Sequence, residues 1–414
     1  MTVSRFATAA LVFALCSPIA RTADWTQWRG PNGTGTADGN PPTKDNLLWK
    51  VELPDKGNGS PIVVGGKVFL QTAAADGSKR TLVCLKATDG KQVWATGHDA
   101  ENGRTHFKGG LAANTPCADV DGVYCVWWDG PTISLRAYDP ATGKERWTAP
   151  LGTNTNQHGS HYSPVVYGGT VFVNVDRDDG AEVFAFDAKS GKKVWSVERS
   201  HVRANYTLPV LFERAGKPTE LVVSNSSRID SYDPKTGKAN WHYTIPWPKG
   251  AQPLRMIGAP QFTNGLLVAH TGDGSGGRYA LAITPGGSGD ISKAAPVWEA
   301  KKGTPYIPGI VARGEHLFWI DDKGVATCAE AKTGKVVWAE RAFQNSDVSA
   351  SPLLIGESVL AVSEKGQIAV WKAAKEFELV GEWPLGERVI AAPSVANGRV
   401  YVRGATNLFC YGKK

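Results

Sequence analysis

One phrase that ends in tryptophan is repeated along this chain, and it constrains the fold more than any other feature. It reads "YDPATGKERW" at residues 138–147 and returns as "FDAKSGKKVW", "YDPKTGKANW", "AEAKTGKVVW" and "KATDGKQVW". The tryptophans that end the phrases lie 40 to 57 residues apart: Trp49, Trp94, Trp147, Trp195, Trp241, Trp298, Trp338 and Trp383. A repeat in the mid-forties with four short strands per unit predicts the blade of a β-propeller.

Prolines mark the same repeat independently. Each opens an apolar run that leads through a turn such as "GG", "DG" or "NG" into a second strand, and they are Pro61, Pro116, Pro164, Pro209, Pro260, Pro308, Pro352 and Pro393. Proline is tolerated at the first residue of a strand because no ladder donor is needed there. No stripe of apolar residues with helical spacing persists, so the pattern predicts an all-β protein, an eight-bladed β-propeller.

Residues 163–195 show how the phrase fits one blade. "SPVVY" predicts the innermost strand, "TVFVNV" the second, "EVFAFD" the third and "KVWSV" the outer strand. In the last turn Asp187 can accept hydrogen bonds from backbone amides, and Gly191 supplies the positive φ of a type I turn with a bulge. The tryptophan on the outer strand can cover the seam to the next blade, with its N–H reaching a carbonyl there. We therefore interpret the eight tryptophans as structural docking residues.

The two ends of the chain complete one blade between them. The last phrase, at 407–414, stops after a third strand, while "NLLWKVEL" at 46–53 supplies a fourth strand that carries Trp49. We expect this N-terminal strand to pair in the last blade and close the ring, which removes exposed sheet edges. The fifth and seventh phrases are degenerate, because one carries an insertion and the other has lost its turn glycine.

The first residues indicate export. Arg5 precedes an apolar run from Phe6 to Leu15, and small residues follow, so residues 1–23 are predicted to be a signal peptide. A leader at 24–45 and the propeller at 46–414 complete the predicted domains. Leu15 stands where a lipobox needs a small residue, which argues against lipid anchoring at Cys16. We expect a periplasmic or secreted monomer without a transmembrane span, since no stretch that is both uncharged and predominantly apolar approaches the roughly 20 residues that a spanning helix needs.

Charge argues against a nucleic-acid partner. Removing Arg5 and Arg21 with the signal peptide lowers the formal charge from +7 to +5. The remaining lysines stand singly in "TGK" turns rather than in a basic stripe, as on a solvated rim.

The phrase A-x-D-x-x-T-G-K-x-x-W resembles the repeat of pyrroloquinoline-quinone (PQQ) type propellers over residues 46–414, and "DWTQWRGPNGTG" at 24–35 looks like the leader of PQQ-like repeat proteins. The resemblance implies one of two functions. Some members are quinoprotein dehydrogenases. Others hold no cofactor, such as the lipoprotein of the outer-membrane β-barrel assembly machinery.

Cysteines favour architecture over redox chemistry. Cys84, Cys328 and Cys410 fall where other blades carry Ala or Ser, so a small buried residue is the expected role. Cys117 and Cys125 share a hairpin, but a two-residue turn would pair Cys125 with Ala118 and turn the two sulfurs to opposite faces, so a disulfide needs a bulge. The chain has no adjacent cysteine pair, whereas the larger quinoprotein alcohol dehydrogenases carry one above the cofactor.

Motifs for metals are weak. "DRDDGAE" at 176–182 could hold calcium but lacks the twelfth-position glutamate of an EF-hand, so a charged hairpin tip is favoured. "HGSH", with His158 and His161, has no identifiable third ligand, so a polar channel lining is favoured over a metal pair. We predict no metal site and no catalytic residue.

Loops that join successive blades gather at one pole, where polar residues can converge on the channel mouth. The candidates for binding are His106, Lys108, His158, His161, Arg203, Tyr206, Arg255, Asp347 and Arg388. A polar concavity is the default binding site of such a fold, and a solvated rim is the alternative.

These observations predict an exported, non-catalytic binding or protein-interaction scaffold of the cell envelope. Its partner would be an envelope protein or a small-molecule ligand at the channel mouth. The alternative is a quinoprotein oxidoreductase of the alcohol or sugar dehydrogenase type. That enzyme would hold PQQ with calcium, use Asp347 as base and balance the quinone charge with Arg255 or Arg388.

Overall fold

The structure, a computed structural model, describes residues 24–106 and 108–413, so the predicted signal peptide and Cys16 lie outside the described residues. Its strands form eight sheets, six of four strands and two of five. Within each sheet the four blade strands pair antiparallel with their neighbours, and the sheets follow one another around a central channel. The prediction of an all-β, eight-bladed propeller is confirmed. Over the described range no helix is long and apolar enough to cross a bilayer.

Each blade has four strands, which run in order from the innermost to the outermost. Blades 1 and 2 contain Ile62–Val64, Lys67–Ala73, Lys79–Lys86 and Gln92–Asp99, then Cys117–Ala118, Val123–Trp128, Thr132–Tyr138 and Glu145–Thr153. Blades 3 and 4 contain Val165–Tyr167, Thr170–Asp176, Ala181–Asp187 and Lys193–Arg199, then Val210–Phe212, Glu220–Ser224, Arg228–Tyr232 and Ala239–Thr244. Blades 5 and 6 contain Gln261–Thr263, Leu266–Gly272, Arg278–Ile283 and Trp298–Ala300, then Val311–Arg313, His316–Ile320, Val325–Glu330 and Val336–Arg341. Blades 7 and 8 contain Leu353–Ile355, Ser358–Val362, Gln367–Lys372 and Leu379–Pro384, then Ser394–Ala396, Arg399–Arg403, Asn407–Gly412 and Leu47–Glu52.

The ring closes as predicted, because the outer strand of blade 8 comes from the N-terminal part of the chain. Leu47–Glu52 pairs antiparallel with Asn407–Gly412, and Trp49 lies opposite Cys410. The insertion in blade 5 contributes a short strand, Gly289–Asp290, which pairs parallel with the outer strand of blade 4. A further strand, Thr36–Ala37, pairs parallel with the innermost strand of blade 7. Two short 3-10 turns, Pro31–Gly33 and Lys44–Asn46, complete the regular structure.

The repeated phrase forms the turn between the third and outer strands. In blade 3 the Asp187 carboxylate accepts a hydrogen bond from the Ser190 amide at 2.7 Å, and Gly191 has a φ of 70°. A register shift follows Ala185, which is the bulge that the sequence predicted. The turn glycine also has a neighbour in the preceding blade, since a Cβ on Gly191 would lie 2.6 Å from the indole of Trp147.

Most of the repeated tryptophans reach across the seam to the next blade. The indole N–H of Trp147 donates to the carbonyl of Ala188 at 3.0 Å, and that of Trp195 donates to Pro234 at 3.1 Å. The same contact to the following blade is made by Trp49, Trp94, Trp298 and Trp338. Each of these indoles therefore lies on the turn that joins the third and outer strands of the following blade.

Two tryptophans depart from this geometry. Trp241 is 1% exposed and donates at 2.6 Å to Glu220 of its own blade, because the insertion replaces the turn of blade 5 that would receive it. In blade 7 the residue opposite the bulge is Gly381, and Trp383 lies two residues further along the strand. Its ring lies 6.0 Å from that of Tyr411 in blade 8, since a shift of two residues keeps the side chain on the same face.

The proline markers also have one exception. In blade 6 Val311 pairs with Phe318 as Ile62 pairs with Phe69 in blade 1, so Ile310 occupies the position of Pro61. Pro308 lies two residues before Ile310, so the prediction that it opens the innermost strand of blade 6 was wrong by two residues.

The hydrophobic core lies in the seams rather than in one central mass. Its clusters join neighbouring blades, such as blades 1 and 2, 2 and 3, 5 and 6, and 6 and 7. Cys84, Cys328 and Cys410 are buried in these seams, each directly opposite a docking tryptophan. The predicted role as small buried residues agrees with this position, and burial raises the pKa of each of these thiols to about 12.

The hairpin with Cys117 and Cys125 has a different register from the predicted one. Ala118 pairs with Val123 and Cys117 with Tyr124, so the turn contains four residues rather than two. The Asp119 carboxylate stabilises this longer turn by accepting the Gly122 amide at 2.8 Å. The two thiols are unbonded and lie in different seams.

The leader packs against the inner strands of several blades. Trp25 is 2% exposed and bridges Val63 of blade 1, and the carbonyl of Thr26 accepts the Ala118 amide of blade 2 at 2.8 Å. Thr36–Ala37 then reaches the innermost strand of blade 7. The leader therefore lines the inside of the ring and lies towards the turn pole, the end of the channel that carries the turns of the repeated phrase.

Replacing Trp195 with alanine should lower the free energy of unfolding by about 3–5 kcal/mol, because it leaves a cavity in the seam and removes the hydrogen bond to Pro234. Urea unfolding of the mature protein measures this. Val194→Ala is the control, since the Val194 side chain on the same strand is 51% exposed and should change stability by less than about 0.5 kcal/mol. Equal effects of the two substitutions would refute the docking role.

Gly191→Ala should destabilise the protein by more than Gly169→Ala, although both glycines lie in turns of blade 3 with positive φ. A Cβ at Gly169 would meet nothing within 4 Å, whereas one at Gly191 would meet Trp147. We expect about 1 kcal/mol for the backbone strain alone and about 1–3 kcal/mol more for the clash at Gly191. The same urea titration gives the difference, and a difference near zero would show that the indole moves aside without cost.

Candidate functional site

The candidate site is the mouth of the central channel, at the pole opposite the turns of the repeated phrase. Segments that lead from one blade to the next meet here with the loops between second and third strands. The segment between blades 1 and 2, described at residues 100–106 and 108–116, extends across this mouth. Its Lys108 ammonium lies 3.0 Å from Asp347 and 2.7 Å from Glu364, which belong to the blade 7 side of the ring. We call residues 100–106 and 108–116 the strap.

The far end of the strap is fixed by a charge network. Asp347 also pairs with Lys323 at 2.8 Å, and Glu364 with Arg388 at 3.5 Å. The hydrogen bond from Lys323, with a further contribution from Lys108, lowers the pKa of Asp347. Burial alone would lower the pKa of Lys108, but the carboxylates of Glu364 and Asp347 outweigh it and raise that pKa. Lys108 and Asp347 are therefore both charged at neutral pH, and their ion pair holds the strap in place.

Blade 1 holds the strap from the other side through its backbone. The Asn58 side-chain amide donates to the carbonyl of Lys108 at 3.2 Å and also to that of Gly109. The amides of Asn58 and Gly59 both donate to the carbonyl of Ala112 at 3.0 Å.

A group of aromatic and cationic side chains lies beneath the strap, over blades 2 to 5. The rings of His106 and His158 are 5.2 Å apart, and those of His161 and Tyr206 are 5.0 Å apart, each pair edge to face. The Arg255 guanidinium lies 5.8 Å from the centre of the Tyr206 ring. These contacts join loops that are distant in the sequence.

The histidines of this group stay neutral at physiological pH. Burial is the main cause that lowers the pKa of His106, His158 and His161. Nearby positive charge acts in the same direction, with Lys108 lowering the pKa of His106 and Arg255 that of His158. Arg203 completes the group and donates to the carbonyl of Pro253 at 3.3 Å.

All nine binding candidates lie at this pole, in two groups joined by the strap. His106, His158, His161, Arg203, Tyr206 and Arg255 form the aromatic and cationic group, and Lys108, Asp347 and Arg388 belong to the charge network. Their role in binding stays a prediction. Sequence reasoning missed Glu364 and Lys323, which lie in loops between second and third strands. Strand order could have identified both residues, because it places the loops between second and third strands at the same pole as the binding candidates.

An open depression of about 1020 Å³ lies beside the strap, over blades 6 to 8. Its lining is polar and contains Lys323, Arg341, Gln344, Asn345, Ser346, Asp347, Glu364, Lys365, Gly386, Glu387 and Arg388. The three carboxylates already have cationic partners, since Glu387 lies 3.5 Å from Lys50. Arg341 and Lys365, in contrast, form no ion pair within the described parts of the chain. The positive charge of the depression is therefore the part that is available to a ligand.

The residues of this depression do not fit PQQ. A planar quinone needs an aromatic face or an equivalent plate to stack on, and the lining contains no aromatic side chain. Nor do the described residues bring together three His, Cys, Asp or Glu side chains that could hold a metal ion. Asp347, the base of the oxidoreductase alternative, lies between two lysines that lower its pKa and make it a weak proton acceptor.

The acidic loop at 176–182 is also engaged in structural contacts. Asp176 is buried and pairs with Arg199 at 2.8 Å, while Asp179 pairs with Arg177 at 2.9 Å. Asp178 accepts the Ala204 amide at 2.9 Å. This agrees with the interpretation of the loop as a charged hairpin tip.

Known proteins resemble this chain in both sequence and fold. The outer membrane protein assembly factor BamB of Burkholderia pseudomallei is 26% identical over 408 residues, which cover 96% of this chain and 93% of that protein. Among solved structures, BamB from Moraxella catarrhalis has a TM-score of 0.62 at 15% identity and covers 89% of this chain and 99% of its own. A europium-containing methanol dehydrogenase has a TM-score of 0.67 at 13% identity, with 94% and 98% covered. At these identities the two structures show the shared fold alone.

A family profile decides the relationship. The profile described as outer membrane protein assembly factor BamB matches residues 42–114, 78–340 and 289–377, most of the propeller. The chain therefore belongs to the PQQ-type propeller family of the outer membrane protein assembly factor BamB.

Proposed function

We propose that this protein is an exported, non-catalytic scaffold that takes part in outer membrane protein assembly and binds a protein partner at the channel mouth. The observation that carries the proposal is the open, charged depression beside the strap. Membership of the BamB family supports the cellular role, because relatives over nearly the whole length bear the name of an outer membrane protein assembly factor.

The shape and polarity of the depression favour a protein partner over a small molecule. Small-molecule pockets are enclosed and mostly apolar, with a few placed polar groups. This depression is open and lined by four cationic and three acidic side chains. Charged surfaces of this kind give protein interfaces their specificity and speed of association.

The charge of the depression further defines the partner. Because its carboxylates are neutralised within the chain, Arg341 and Lys365 present positive charge without a counter-ion from the described residues. An acidic segment of a partner would complement them. The strap supplies a fixed edge to this surface, since Lys108 ties it to Asp347 and Glu364.

The predicted signal peptide supports a location in the periplasm or beyond, and the lack of the small residue before Cys16 argues for a protein that is not lipid-anchored. Fractionation and N-terminal sequencing of the mature protein test both. An uncleaved chain in the cytosol, or an acylated Cys16, would contradict the proposal.

Reversing the charge at Arg341 and Lys365 should weaken partner binding about tenfold and lower the melting temperature only slightly, because both side chains are at the surface and Arg341 loses its hydrogen bonds to the carbonyls of Lys323 and Phe343. A photo-cross-linking amino acid at Gln344, which lines the depression, would measure binding in the intact envelope. The double variant Arg341→Glu/Lys365→Glu should give about one-tenth of the cross-linked product and reduce the amount of outer membrane proteins. Lys335→Glu, at the turn pole of the same sheet, is the control and should behave as the wild type. Equal cross-linking in the double variant and the control would refute the proposed surface.

Titration of the mature protein with PQQ and calcium should show no saturable binding at micromolar cofactor, because the depression offers no stacking face. The absorbance of the cofactor and dye-linked oxidation of alcohols or sugars would both be followed. Stoichiometric binding with turnover would overturn the non-catalytic assignment and establish the quinoprotein alternative.

A further inference from the structure

A buried arginine of the leader has no acidic partner among residues 24–106 and 108–413. Arg29 is 2% exposed. Its Nε donates to the carbonyl of Gly33 at 3.1 Å, and its Nη2 donates to Thr34 at 3.0 Å and to Ile310 of blade 6. Nη1 is buried and has no hydrogen-bond partner among the described residues. The guanidinium is thus inside the ring with one donor group unused.

Buried arginines in this chain are held in two ways: Arg80 and Arg403 donate to backbone carbonyls, whereas Arg199 has carboxylate partners. Arg199 is buried to a similar degree, and its guanidinium pairs with Asp176 at 2.8 Å and Asp230 at 3.3 Å. Burial would lower the pKa of Arg199, but the two carboxylates outweigh it and raise that pKa. At Arg29, desolvation acts without such a partner and lowers the pKa to about 10. A buried charge without a counter-charge is strongly unfavourable, so this position favours an anion from outside the chain.

The Ser351 hydroxyl beside the Arg29 guanidinium is a further donor. Nη1 lies against Gly309, at a point where a side chain would collide with it. The Ser351 hydroxyl accepts the Gly309 amide at 2.9 Å, which leaves its own proton to donate. The Ser351 side chain is itself 2% exposed.

We propose that the central channel holds a small monoanion against Arg29 Nη1, with the Ser351 hydroxyl beside it. The shared chemistry is that of chloride and of short carboxylates such as formate and acetate, because the donors available are one amino group of the guanidinium and one hydroxyl. This site lies inside the ring and depends on the leader, whereas the proposed partner surface is the open depression at the channel mouth. The two proposals therefore fail independently.

Crystals of the mature protein soaked in bromide test the site directly. We expect an anomalous peak within hydrogen-bonding contact of Arg29 Nη1, as for a charge-assisted hydrogen bond. A density at this position that shows no anomalous signal would be water and would overturn the proposal. This measurement uses the wild-type protein and remains decisive even if variants of Arg29 fail to fold.

Thermal unfolding tests whether the ion contributes to the folded state. At constant ionic strength, replacing a bulky anion with chloride, formate or acetate should raise the Tm of the wild type by roughly 2–4 °C. The ranking of the three ions identifies the preferred source. Arg29→Met should lose this response, and Arg146→Met, a change at an exposed arginine of the turn pole, should keep it. A bromide peak without any anion-dependent shift would indicate an adventitious ion only and would also refute the proposal.

Discussion

The packing of an outer-strand indole on the turn of the next blade is the interaction on which the rest of this structure depends. Each sheet buries its faces only against neighbouring sheets, so the ring has no core apart from its seams. Trp147 and Trp195 cover these seams and donate to backbone carbonyls of the following turn. Because the turn glycine has no side chain, the indole can approach the backbone closely. The repeated phrase thus encodes both sides of one contact.

Ring closure follows from the same contact. The N-terminal strand Leu47–Glu52 supplies Trp49 to blade 8, and its indole reaches the turn of blade 1. The last seam is therefore built like the others, and blade 8 has the same four antiparallel strands as the other blades. The leader, which precedes this strand in the sequence, lies inside the ring, where Thr36–Ala37 adds a strand to blade 7.

The two poles of the ring have different freedom to vary. At the turn pole, the phrase is fixed by seam packing. At the mouth pole, loops are released from that constraint and carry the strap, the histidines and the charged depression. The strap illustrates how function can be placed there, since Lys108 joins blade 2 to Asp347 and Glu364 across the channel. A rigid ring with one adaptable face suits a scaffold that must present a charged surface to a partner.

The sequence by itself determined the number of blades, the turn chemistry at Asp187 and Gly191, and the pairing of Trp49 with the end of the chain. These features are local or periodic, so a repeated pattern is enough to reveal them. It also placed the nine candidate side chains at one pole, because strand order decides which loops meet.

Only the tertiary structure decided which side chains touch. The contact of Lys108 with Glu364 spans more than half the chain, and no local pattern links the two residues. The four-residue turn before Tyr124 and the offset of Trp383 were missed for a related reason, since side-chain contacts to Asp119 and Tyr411 select those registers. The buried position of Arg29 is the clearest case. The sequence shows an arginine in a glycine-rich leader, and only the closed ring around it buries its charge away from the carboxylates of the described residues.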